Sequence, residues 1–236
     1  MDRRLFYTPV SLFFMLFMAF LLFAEVSLLF LDLARTAFTR IGFSWEHVLI
    51  VLLASLVGSV INMPIANLES REPIAQDEYI HVLGVTYRIP IVGEMTRDTV
   101  LAINLGGAVI PTLISIVLLY KFSAALPYVI ACVIFVAIVM NRTARLVKGL
   151  GIVTPALLPP LMAAFAALAM TYMFNAPNQY IFILAYVGGT LGTLIGADLI
   201  NLNKIRDLGA PIVSIGGAGT FDGVFLSGLI AVLLVK

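Results

Sequence analysis

The chain alternates between long apolar runs and short polar breaks. Seven runs approach or reach the ~20 residues that an α-helix needs to cross a lipid bilayer. They cover approximately 8–30, 47–66, 99–120, 124–140, 151–173, 180–200 and 217–235. The fourth is short but bounded by Lys121 and Arg142. The fifth holds Pro155, Pro159 and Pro160. Proline inside a helix removes a backbone donor and clashes with the preceding turn, so this segment is expected to kink or break. The pattern predicts an all-α integral membrane protein, a single polytopic domain over 1–236 with about seven transmembrane helices.

Composition sharpens this reading. Hydrophobic residues make up 61% of the chain and charged ones 11%, against about half and about a quarter in a soluble domain. Too few polar side chains exist to cover a water-facing surface. The expected partner is the lipid bilayer, and the expected location is a membrane, crossed several times. The net charge of +1 gives no field to attract nucleic acid. Cys132 is the single cysteine, and the two histidines are His47 and His81. They form no zinc-ligand spacing, so neither metal nor cofactor is expected.

Arg3 and Arg4 precede the first run. That run is too long for a signal-peptide core and no small-x-small cleavage site follows it, so it reads as a retained helix. Lys and Arg concentrate in the cytoplasmic loops of membrane proteins. With the N-terminus inside, the inner segments hold Arg3, Arg4, Arg71, Arg88, Arg97, Arg142, Arg145, Lys148, Lys204 and Arg206. The outer ones hold Arg35, Arg40, Lys121 and Lys236. This asymmetry predicts an N-in, C-out orientation.

The one sizeable loop runs from Leu68 to Asp98. Its centre, Tyr79 to Pro90, is rich in β-branched and aromatic residues and interrupted by Gly84, which predicts a small β-hairpin resting on the helix ends. It serves as a connector, or as a lid or substrate-docking edge strand. Asn62 and Asn104 fall inside the second and third runs, where interhelical hydrogen bonding is expected of them.

Ionisable groups at membrane depth are costly, by at least ~2.5–3.5 kcal/mol, and mark function. Three acids qualify: Glu25, Asp198 and Asp222. Glu25 has an interfacial, a hydrogen-bonding or a proton-site reading. Asp198 follows Gly188, Gly192 and Gly196, spaced four apart for close helix packing. It lies about 200° past Gly196 around an ideal helix, so the stripe and Asp198 are expected to face different neighbours. Asp222 sits among Gly216, Gly217, Gly219 and Gly223 at the start of the seventh run. It reads equally as a helix N-cap or as a site. Helices six and seven are consecutive and antiparallel, so both acids fall at the cytoplasmic end. Two adjoining carboxylates share a proton, giving one general base and one general acid.

In these residues the chain resembles the GxGD intramembrane aspartyl proteases, the presenilin and signal peptide peptidase group. Gly217-Ala218-Gly219 precedes Asp222, the sequence after Asp222 continues apolar, and Pro155-Ala156-Leu157 matches a motif of that group. The resemblance implies Asp198 and Asp222 as catalytic residues. It also implies Gly217, Gly219, Pro155, Ala156 and Leu157 as substrate-binding residues, with transmembrane peptides as substrates. The chain departs from the motif: Thr220 and Phe221 separate Gly219 from Asp222, Ala197 precedes Asp198, and Pro-Ala-Leu lies on the fifth helix. It is also similar to a prokaryotic family of multi-pass membrane proteins with a glycine-rich ending. An ion-coupled transporter or channel, using the glycine-rich break between helices six and seven, is the alternative function. A non-catalytic membrane scaffold is the third.

Overall fold

The computed structural model describes residues 12–82, 85–147, 151–207, 211–217 and 223–236; of 69–82, 85–98 and 205–207 it describes the backbone alone. Among these residues it is mostly helical. The α-helices are α1 (Leu12–Arg40), α2 (Trp45–Gly58), α3 (Ile110–Lys121), α4 (Leu126–Thr143), α5 (Leu158–Tyr172), α6 (Ile181–Thr193) and α7 (Gly223–Leu234). The strands are β1 (Asn62–Val82), β2 (Val85–Asn104), β3 (Arg145–Val147), β4 (Gly151–Val153) and β5 (Ile212–Ile215). β1 and β2 pair antiparallel, and β5 joins the free edge of β2 in parallel. β3 and β4 form a separate small hairpin.

Seven helices appear, as the hydrophobic pattern predicts, but several boundaries move. The first helix runs on to Arg40, because Ala34, Ala37 and Phe38 bury one face of its last turns. The second stops at Gly58 and the third starts only after Asn104. The β-hairpin claims what lies between, with Asn62 opposite Asn104, and is therefore longer than the segment 68–98. Asn62 and Asn104 are strand residues, not helix residues. The fifth helix is not broken by its prolines. Pro159 and Pro160 sit in its first turn, where a missing N–H removes no helical hydrogen bond. Residues 151–153 are strand instead of helix.

Contacts at the helix ends sort the elements into two levels. Arg40, ending α1, donates through Nη1 to the carbonyls of Val232 and Val235 at the end of α7, both at 3.1 Å. Its guanidinium lies 5.5 Å from the Phe182 ring at the start of α6. Arg35 stacks on Trp45 at 5.0 Å. The opposite, hairpin end gathers the three-stranded sheet, the end of α2, and the chain leading into α3 and into α7. There Asn104 donates to the Ser59 carbonyl (2.7 Å) and to Asn62 Oδ1 (3.0 Å), and accepts from the Gly107 N–H (2.7 Å). Ser214 of β5 donates to Asn62 Oδ1 at 2.6 Å. These bonds tie the hairpin root, β5 and the end of α2 into one polar knot.

The core centres on α6, which packs against α4, α5 and α7. Tyr186 is its largest fully buried side chain. The glycine stripe of α6 meets α4: a Cβ on Gly188 would lie 3.1 Å from Cys132 Cβ, and one on Gly192 would lie 2.6 Å from Val136 Cβ. The outer faces are apolar. Leu12 to Leu22 of α1, Leu113 and Ile116 of α3, Ile130 and Ile134 of α4, and Leu161 and Phe165 of α5 include large exposed hydrophobics. Among the described residues three helices are long and apolar enough to cross a membrane: Leu12–Arg40, Ser123–Thr143 and Asn178–Lys204. The other four are apolar but shorter.

Candidate functional site

At the hairpin end α6 changes its winding. Residues Leu194–Leu199 form a π-helical stretch, with the Ile200 N–H bonded to the Ile195 carbonyl at 3.0 Å. Such stretches are rare and frequently mark functional sites. Here two causes are visible. Gly196 lies so close to the Ala137 backbone that a Cβ would overlap it. Asn201 then ends the helix, donating through Nδ2 to the carbonyls of Gly196 (3.1 Å) and Ala197 (2.9 Å) while its Oδ1 accepts from Lys204 at 2.6 Å. The loosened turn thus has its extra carbonyls satisfied by a side chain.

Asp198 sits within this stretch, half-buried. Its Oδ2 accepts the N–H of Gly216 at 2.9 Å. Gly216 ends β5 with a φ of +77°, a region that a side chain enters only with strain. A Cβ there would also lie 2.7 Å from the Ala108 backbone nitrogen. Ala108 belongs to a second π-helical stretch, Leu105–Val109, which leads into α3. Gly216 is therefore clamped between two π turns, one of them carrying the acid.

The glycine stripe of α6 faces α4, while Asp198 faces the chain that leads to α7, so the two do point to different neighbours. Gly217, next to Gly216, is half-buried with a φ of +89°. Asp222 and Gly219 lie outside the described residues, and α7 opens at Gly223. Pro155, Ala156 and Leu157 are exposed and directly precede α5. They follow β4, which lies against the π stretch of Asp198. Glu25 is on an exposed face of α1.

One set of polar groups escaped the sequence reading. Thr193 of α6 donates to Ser227 Oγ of α7 at 3.3 Å, and Ser227 donates to the Gly189 carbonyl at 2.8 Å. Tyr186, Thr190 and Thr193 recur at helical spacing in an otherwise apolar segment. That periodicity was the available signal.

Neither the curated proteins nor the solved structures contain a match to this chain. A family model does match, over residues 56–234, from the end of α2 to the end of α7. The chain belongs to the family described as "Protein of unknown function (DUF1614)".

Proposed function

We propose that this is a multi-pass membrane protein, N-in and C-out, whose hairpin end carries a two-aspartate hydrolytic site for transmembrane peptide segments. The exposed apolar faces of α1, α3, α4 and α5 support residence in lipid, since soluble surfaces do not carry such extended apolar area. Arg35 with Trp45 and Arg40 with Phe182 at the far end suit a membrane–water interface, where aromatic and basic side chains gather. The shorter helices fit a locally thinned bilayer.

The observation that carries the catalytic reading is the tie between Asp198 and Gly216. It fixes an acid of α6 to the segment that runs on to position 222 and α7. In the proposal Asp198 and Asp222 share one proton. The ionised partner activates water, and the protonated one donates to the leaving amine. Gly217 and Gly219 take the extended peptide through their backbone, and Pro155, Ala156 and Leu157 border its path. Ion-coupled transport through the same end is a second reading, favoured by the hydroxyl side chains that α6 turns toward α7.

The test is cleavage of a transmembrane reporter peptide by the purified protein in liposomes. Cleavage by the wild type, lost in Asp198→Asn and in Asp222→Asn, is the expected result. Cleavage that persists in both variants rules the assignment out.

A further inference from the structure

The contact between α6 and α7 is built of small residues. A Cβ on Gly189 would lie 3.0 Å from the Ser227 carbonyl, and Gly228 faces the Thr190 hydroxyl so closely that a Cβ there would overlap it. Such closeness normally excludes everything but backbone packing. Yet two hydroxyls lie inside this seam. Thr190 is 0% exposed and Tyr186 is 1% exposed. The Tyr186 hydroxyl turns toward Thr190, one helical turn further on. Tyr186 Oη and Thr190 Oγ1 face each other, but the pair does not meet hydrogen-bond geometry and neither oxygen finds another described partner.

Buried hydroxyls are seldom left this way. Desolvating one without a partner is costly, and Thr in a helix ordinarily bonds to the carbonyl four residues back. A residue that gives up this local bond in the driest part of the bundle points to something else bound there. Interior waters satisfy pairs of polar groups of this kind.

The site does not stand alone. The next polar residue along the same side of α6 is Thr193, bonded to Ser227. Beyond it comes Asp198. On an ideal α-helix Asp198 would stand about 140° around from Thr193. A π turn closes from residue i to residue i+5, so the stretch Leu194–Leu199 swings Asp198 back toward the Thr193 side. Three contacts agree: Thr190 meets Gly228, Thr193 meets Ser227, and Asp198 meets Gly216. All three partners belong to α7 or to the chain entering it.

We propose that water occupies the α6–α7 seam at Tyr186 and Thr190, and that Tyr186, Thr190, Thr193, Ser227 and Asp198 line a hydrated route from the hairpin end into the bundle. The inference holds whichever chemistry Asp198 serves. The hydroxyls supply donors and acceptors, and the π turn brings the acid to the mouth of the route.

Water-edited solid-state NMR of the full chain in lipid bilayers tests this directly. Magnetisation starting on water should reach Tyr186 and Thr190 severalfold faster than it reaches Leu184 and Val187, which are equally buried on the same helix at 0% exposure. Thr190→Val should slow transfer to Tyr186 to the rate of those two controls. Transfer to Tyr186 and Thr190 no faster than to Leu184 and Val187 overturns the proposal. That result would mean a dry seam with the two hydroxyls bonded to each other.

Discussion

The carboxylate of Asp198 accepts the backbone N–H of Gly216 at 2.9 Å, so the acid of helix six holds the chain on its way to helix seven. The bond needs an acceptor at position 198, not a charge. Asp198→Asn, with Oδ1 retained, should fold with a thermal stability close to wild type. Asp198→Ala should lose about 1–3 kcal/mol, the cost of leaving the buried Gly216 N–H without its acceptor. Gly216→Ala should be destabilised at least as much, because it combines a left-handed backbone with overlap on Ala108. Thermal unfolding of the three variants in detergent checks this order.

Two glycines should respond oppositely to one added methyl group. Gly192→Ala places a Cβ 2.6 Å from Val136 Cβ and should cost about 1–3 kcal/mol by overpacking. Gly223, at the start of α7, has nothing within 4 Å of such a Cβ. Gly223→Ala should be neutral or stabilise by about 0.5–1 kcal/mol through helix propensity. Parallel melting curves separate the two cases.

Arg40 closes the far end by bonding two carbonyls of α7 with a single nitrogen. Lysine lacks the planar fork and cannot both stack on Phe182 and reach these carbonyls. Arg40→Lys should therefore loosen the last turn of α7. Hydrogen exchange at residues 232–235 should rise, while exchange in α4 should stay unchanged.

Orientation is read with single cysteines in a Cys132→Ala background. Ser123→Cys lies at the far end and Asn203→Cys at the hairpin end, both at exposed positions. A membrane-impermeant thiol reagent should label position 123 in intact cells and position 203 only after permeabilisation. The reverse pattern would place the N-terminus outside.

Much of the architecture was legible in the residue pattern, and the misses have local causes. The seven apolar helices follow from run length and composition. Hydropathy alone could not separate strand from helix at 62–66 and 99–104, because both stretches lie within apolar runs continuous with the neighbouring helices. The deciding feature, Asn62 opposite Asn104 with Ser214 bonded to the pair, joins residues far apart in sequence. The prolines at 159 and 160 signalled a helix start, not a break, and the distinction rests on where the helix begins. At the candidate site the acid and the glycines stood out, and so did the separate facing of Asp198 and the glycine stripe. The π turn did not, since it arises from the close contact of Gly196 with Ala137 and the capping by Asn201. The hydroxyls of Tyr186 and Thr190 did not stand out either, because their significance rests on burial against α7.

The central claim is that Asp198 and Asp222 act as one coupled pair, and infrared spectroscopy of the protein in bilayers at neutral pH addresses it without knowledge of the substrate. Two adjoining carboxylates retain one proton between them. The wild type should therefore show the carbonyl stretch of a protonated carboxyl group. Either Asp198→Asn or Asp222→Asn should abolish that band, because the remaining acid ionises once its like-charged neighbour is gone. A protonated-carboxyl band that survives unchanged in both single variants, or that is absent from the wild type, would contradict the account.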